Sequence, residues 1–156
     1  QMKFSTNEDV DAPIEAAFDM FSDFNALELA VKRRVADVQR TDQMAQPGVG
    51  MKWRAAFDLR GKRRPVDVAM VRFDRPNEMQ LEGTSSGMNA VSSFHFMPLS
   101  PQRTRVRVEL EITPLNLSAR LMVQSMRLAK NGLNTKFKLN VADYARRMEG
   151  QYTSKA

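Results

Sequence analysis

The sequence predicts an α+β domain: a first strand, two short helices, an antiparallel meander of six strands and one long C-terminal helix. Three observations lead there. Short runs of alternating apolar and polar residues recur between turn residues. A stretch of helical spacing interrupts them once, near the start. The final stretch carries apolar residues at every third or fourth position.

Met2, Phe4, Thr6, Glu8 and Val10 alternate with Lys3, Ser5, Asn7 and Asp9, a period of two that suits a first strand. Asp11-Ala-Pro13 reads as a helix start, with a capping carboxylate and a proline in the first turn, where its missing N–H costs nothing. Ile14, Ala17, Phe18 and Phe21 form one helical face. Ser22-Asp23 breaks and recaps the chain before a second short helix that turns Leu27, Ala30 and Val31 to the core.

From Val35 the pattern becomes strands and turns. Val35 to Gln43 is a weak strand ending at Gln46-Pro-Gly-Val-Gly50. Trp53, Ala55, Phe57 and Leu59 alternate with Lys52, Arg54, Ala56, Asp58 and Arg60, giving the one apolar and one solvated face of a half-buried antiparallel strand. Gly61 turns the chain into Pro65 to Phe73, Arg75-Pro-Asn77 into Met79 to Gly83, and Thr84-Ser-Ser-Gly87 into Met88 to Met97. Pro98 to Arg103 is the last turn before Thr104, Val106, Val108, Leu110 and Ile112, which alternate with Arg105, Arg107, Glu109 and Glu111. The arginines and glutamates are expected outside, the aliphatics inside. Pro114 ends this meander, and Leu117 to Gly150 is expected as one helix along Met122, Met126, Ala129, Leu133, Phe137, Val141, Tyr144 and Met148. Gly132 within it marks a bend or a close approach to the sheet.

The chain has 156 residues, the size of one ordinary domain, expected over residues 2–150 with a polar tail at 151–156. Gln1 precedes a methionine that looks like a natural start, so it is set aside. No cysteine is present and the single histidine, His95, builds no cluster, so neither a metal site nor a disulfide framework is expected, and no cofactor. No stretch resembles a cleavable signal or a membrane span. The expected setting is a soluble protein of a reducing cytoplasm. A net charge of +6 allows acidic partners, and charge alone does not choose among nucleic acid, anionic lipid and an anionic small molecule.

The order strand, two short helices, six-strand meander, long helix resembles the START/polyketide-cyclase-like helix-grip superfamily. That superfamily includes START lipid-transfer domains, the plant pollen-allergen fold, aromatase/cyclases and coenzyme-Q-binding proteins. The local pieces that carry the resemblance are Val10-Asp-Ala-Pro13 with Phe18 and Asp23, Arg72-Phe-Asp-Arg-Pro76, and Phe94-His-Phe96 through Pro98 to Thr104-Arg-Val106. It implies a helix-grip fold, a curved seven-stranded antiparallel sheet gripping the terminal helix, with a cavity in between for an apolar or amphipathic small molecule.

Within that frame the inward faces supply the candidate ligand-binding residues Trp53, Phe57, Met70, Leu81, Met88, Phe94, Phe96, Met126, Leu133 and Phe137. The plain alternative is that the same stripe only fills a core. Eleven methionines, adaptable in shape, favour a plastic pocket. Trp53 and Phe137 are expected to share one cavity. Up-and-down strands put the Gly61, Ser86-Gly87 and Pro114 turns at one end, where Lys62, Arg63 and Arg64 would rim a mouth suited to an anionic headgroup or a membrane surface. The alternative is a solvated hairpin tip.

No catalytic residue is identified. Ser93 and His95 lie on the strand face opposite Phe94 and Phe96, so both point outward, and Glu109 and Glu111 are explained by charge pairing with Arg105 and Arg107. Neither a phosphate-binding loop nor a zinc-protease motif is present, and Asn116-Leu-Ser118 is a glycosylation triplet without a secretory context. The leading expectation is binding or transport of a lipid, isoprenoid quinone or aromatic polyketide. A polyketide cyclase/dehydrase is the alternative, to be separated by whether Ser92, Asp67, Asn140 or Tyr144 meet inside the cavity. A protein- or nucleic-acid-interaction module ranks last, because the aromatics do not interleave with the arginines. The oligomeric state is not readable.

Overall fold

The computed structural model describes residues 1–33, 37–59 and 61–155, without the side chains of Leu59 and Lys155. Val35, Arg60 and Ala156, each assigned above to a strand or the tail, lie outside the described residues. The elements are β1 (Met2–Val10), α1 (Ile14–Phe21), α2 (Phe24–Lys32), β2 (Asp37–Arg40), β3 (Lys52–Leu59), β4 (Lys62–Asp74), β5 (Glu78–Ser85), β6 (Met88–Ser100), β7 (Arg103–Pro114), α3 (Leu117–Leu128) and α4 (Lys130–Lys155). The strands form one seven-stranded antiparallel sheet in the order β1-β7-β6-β5-β4-β3-β2, so the first strand closes beside the last.

The register runs Met2 opposite Ile112 to Val10 opposite Thr104, which sends Val106 and Val108 inward and leaves Arg105 and Arg107 exposed. A one-residue slip would reverse every one of these side chains. Outside, Arg105 grips Asp9 through two nitrogens at 2.8 and 3.1 Å, and Arg107 donates to Glu109 at 2.8 Å. His95 faces outward too, 3.3 Å from Glu78 on the neighbouring strand.

Helix α1 plugs one end of the sheet. Its spacing buries Ala17, Phe18, Met20 and Phe21 on one side, and Phe18 packs edge-on against Phe73 at 5.2 Å and at a tilt against Phe96 at 5.0 Å. A buried phenylalanine of this kind contributes about 1.5–3 kcal/mol. Asp19 on its outer side holds Arg75, in the β4–β5 turn, through two contacts of 2.9 Å. The cap differs from expectation: Pro13 itself is the N-cap with no side-chain acceptor, and the Asp11 amide instead donates to Glu149 at 2.6 Å. Asp23 does cap α2, accepting from the Ala26 amide at 3.1 Å.

The C-terminal segment is two helices, not one. Ala129 leaves helical geometry at φ −104° and ψ 16°, and its N–H turns back to Met126 at 3.0 Å. The break comes at Ala129 and not at Gly132, around which a Cβ would meet nothing. Asn131, Gly132, Asn134 and Thr135 are weak helix formers just beyond it. Helix α4 then runs to Lys155 through the expected tail, and Tyr152 packs against the core. Tyr144, Ala145 and Met148 are buried, with Tyr144 edge-on to Phe21 at 5.4 Å.

Asn116 caps α3, accepting from the Ala119 amide at 2.8 Å. It nests against Gly87, whose φ of +72° favours glycine; a Cβ there would collide with the Asn116 side chain. The β5–β6 hairpin and the start of α3 are thereby fixed to one another, and the Leu115 amide adds a 2.6 Å bond to the Gly87 carbonyl.

Candidate functional site: an apolar trough on the concave face

Because β5 pairs with β6 and β4, its inward residues Leu81 and Gly83 stand beside Ser92 and Ala90 on one side and Met70 and Val68 on the other. Helices α2, α3 and α4 roof this surface incompletely, leaving three adjoining spaces. The first, about 270 Å³, lies between α2, α4 and β6 and is lined by Phe21, Leu27, Val31, Phe94, Phe137 and Val141, with Ser92 on its floor. The second, about 150 Å³, lies under α2 against Trp53, Ala55, Val68 and Leu81. The third, about 300 Å³, opens between Phe57, Val66, Met88, Ala90 and Met126. Leu27 and Val31 wall both the first and the second.

Of the expected ligand-binding residues, Phe94 and Phe137 line the first space, Trp53 and Leu81 the second, and Phe57, Met88 and Met126 the third. Met70 and Phe96 do not line the trough. They are buried in solid core at the plugged end, where α1 covers the stripe. Leu133 packs on a separate cluster of Met2, Phe4 and Val123. Trp53 and Phe137 occupy neighbouring spaces, not one, because Leu27 and Val31 of α2 stand between. The indole is fixed by its Nε1–H, which donates to Glu28 at 2.8 Å, and by Phe24 at 5.3 Å.

The basic hairpin divides by strand alternation. Arg63 points outward to Asp58 at 3.4 Å. Arg64 stands opposite Phe57 and two residues before Val66, on the concave side, and its Nε is buried with no hydrogen-bond partner among the described residues. A buried unpaired donor is uncommon in folded proteins and calls for a partner. Lys62 shares that side and is exposed.

Polar groups in the trough are few. Tyr144 is buried and spends its hydroxyl on the Met20 carbonyl at 3.1 Å; burial pushes its pKa well up, so the phenol stays protonated. Asp143 and Arg147, at the rim, pair at 3.2 Å. Asp67 lies on the outer side beside Arg54 at 3.8 Å. Among the described residues no cluster could hold a metal ion, and no helix is long and apolar enough to cross a membrane. Sequence reading missed Val66, Val68, Ala90 and Val141 as lining residues. Val66, Val68 and Ala90 lie on inward stripes already recognised, so alternation was the signal that could have found them.

The fold and trough define a helix-grip domain with an internal apolar surface open to occupancy. The chain belongs to the family described as polyketide cyclase/dehydrase and lipid transport, whose model matches residues 1–149. Solved structures with the same fold include a Thermus thermophilus protein, 15% identical with a TM-score of 0.68 and 99% of each chain covered. They also include the ZhuI aromatase/cyclase of Streptomyces sp. R1128, 13% identical with a TM-score of 0.66 and 94% of each chain covered. Norcoclaurine synthase of Thalictrum flavum is 11% identical with a TM-score of 0.65, covering 94% of this chain and 85% of its own. At such identities the likeness is one of fold. No curated protein matches in sequence.

Proposed function

We propose that this protein binds or carries a hydrophobic or amphipathic small molecule, a lipid, isoprenoid quinone or aromatic polyketide, in the trough between sheet and helices. The observation that carries this reading is the unfilled space along the sheet, walled by carbon on nearly every side. A core of this size is ordinarily packed to crystal-like density, so space left over a continuous apolar floor suits a ligand. Arg64 supports an anionic end group on that ligand: it stands opposite Phe57 and two residues before Val66, both of which line the third space, and among the described residues its buried Nε has no hydrogen-bond partner. The cyclase/dehydrase alternative has Ser92 in its favour, a hydroxyl on the trough floor. Asn140, Asp143, Tyr144 and Arg147 line the same space, but the Tyr144 hydroxyl is engaged with the Met20 carbonyl and Asp143 with Arg147, and His95 is on the outer face.

Native mass spectrometry of freshly purified protein, followed by extraction of whatever co-purifies, tests the proposal. A retained apolar molecule is expected, and adding it back to stripped protein should change the emission of Trp53, the chain's one tryptophan. A protein that emerges empty and whose Trp53 emission ignores fatty acids, quinones and aromatic polyketides alike would refute it.

A further inference from the structure

Helix α3 has two apolar faces, and the fold uses one. Ala119 and Val123 are buried and Met126 half-buried, turned to the sheet. At about 100° per residue, Leu117, Leu121 and Leu128 fall within an arc of roughly 40° on the opposite side. They are 71%, 60% and 92% exposed, and Leu115, just before the helix, is 64% exposed. Leucine gains nothing from such a position in water, and a stripe of this kind marks an interaction surface.

The charges around the stripe say what covers it. From Thr113 to Ala142 the chain carries Arg120, Arg127, Lys130, Lys136 and Lys138 and not one aspartate or glutamate. All of these cations are exposed; Arg127 also donates to the Gln1 carbonyl at 2.6 Å. Along β1 and β7 the signs are mixed closely instead, as in the Arg105–Asp9 and Arg107–Glu109 pairs. A second copy of this chain would set the same cations against each other. A bilayer with anionic headgroups satisfies both features, taking leucines into its acyl boundary and cations into its negative surface layer.

We propose that α3 is a membrane-docking helix that seats the protein on anionic lipid through Leu117, Leu121 and Leu128, with Arg120, Lys130 and Lys136 held at the headgroups. The helix follows β7 at the end of the sheet that α1 leaves open, and its Met126 walls the third space, so docking brings that space to the lipid. The docking face and the trough are separate surfaces, and loss of one leaves the other reading intact.

The test is co-sedimentation with vesicles of phosphatidylcholine alone and with about 30 mol% phosphatidylglycerol, at low and physiological salt. The protein is expected to bind the anionic vesicles and to be weakened by salt. Leu117→Gln/Leu121→Gln/Leu128→Gln should cut partitioning by about tenfold or more with the circular dichroism spectrum and unfolding midpoint unchanged. The single change Leu128→Glu, at the most exposed position, repeats the test with the least risk to folding. Arg120→Gln/Lys130→Gln/Lys136→Gln should lose affinity for anionic vesicles alone. A wild-type protein that ignores anionic vesicles, or leucine variants that bind them as well as wild type, would overturn the proposal. So would a wild-type dimer that the leucine variants convert to monomer, which would assign the face to a second copy.

Discussion

Replacing Ala90 with leucine separates an open trough from a filled core by the sign of its effect. Ala90 sits on β6 between Gly83 and Ile112 and borders the space of about 300 Å³. Each buried methylene is worth about 0.8 kcal/mol, so an isobutyl group in place of a methyl gains up to about 2 kcal/mol if fully covered. The space is open on one side, which reduces the gain to about 1 kcal/mol. In a filled core the same change overpacks and costs about 1–3 kcal/mol. For a chain of 156 residues each kcal/mol moves the midpoint by about 2–4 °C. Thermal unfolding of ligand-free protein should therefore show Ala90→Leu a few degrees above wild type. Ala145→Leu, at a fully buried site on α4, should fall several degrees below. The Ala90 variant should also bind the co-purifying ligand more weakly. If Ala90→Leu lowers the midpoint as much as Ala145→Leu, the trough is closed core and the reasoning fails.

Arg64→Gln is expected to weaken a fatty acid by about tenfold while leaving its methyl ester unchanged, in a competition assay read by Trp53 emission; equal losses for both would remove the anionic subsite. Asn116→Ala should cost about 1 kcal/mol by removing the α3 cap, visible in a denaturant titration as a lower midpoint at unchanged slope, whereas an unaltered midpoint would show the cap to be idle. Asp42 accepts from Arg40 at 2.7 and 3.0 Å and from the Met44 and Lys52 amides at 2.9 and 2.8 Å, and the Arg40 guanidinium holds its pKa well below the usual carboxylate range. A depressed carboxylate contributes stability above its unfolded pKa and loses it as pH falls through the folded one. Hydrogen exchange at Met44 and Lys52 should accordingly stay protected through the ordinary carboxylate range and open only in stronger acid; loss of protection near pH 4 contradicts this.

Strand content was legible because burial on one side of an antiparallel sheet writes itself as alternation. From Thr104 to Ile112 no other local structure accounts for Val106 and Val108 inside with Arg105 and Arg107 outside. The break at Ala129 was not legible for a related reason. Met126, Leu133 and Phe137 keep helical spacing across it, so the apolar pattern reads through a residue whose backbone has left the helix. The cap of α1 was misplaced because Asp11 and Pro13 both suit a helix start. The choice between them turns on Glu149 of α4, which takes the Asp11 amide from far along the chain.

The site was half legible, and the missing half is tertiary. Alternation puts Met70 and Leu81, opposite each other in register, on one inward stripe, as it does Phe94 and Phe96. What divides lining from filling is which helix covers each position. Helix α1 lies over the Phe73 and Phe96 end and packs it with Phe18 and Phe21. Over Ala90, Val66 and Met88 the facing wall is Met126 of α3, which leaves the space open. The molecule is therefore asymmetric along its strands, with an aromatic plug clamped by Asp19–Arg75 at one end and loosely covered aliphatic space at the other. An amphipathic ligand in such a trough gains most by directing its apolar part toward the plug, which leaves its polar group at the end where Arg64 faces inward. The same end carries α3, so the surface proposed to meet lipid and the donor proposed to meet a headgroup fall on one side of the protein.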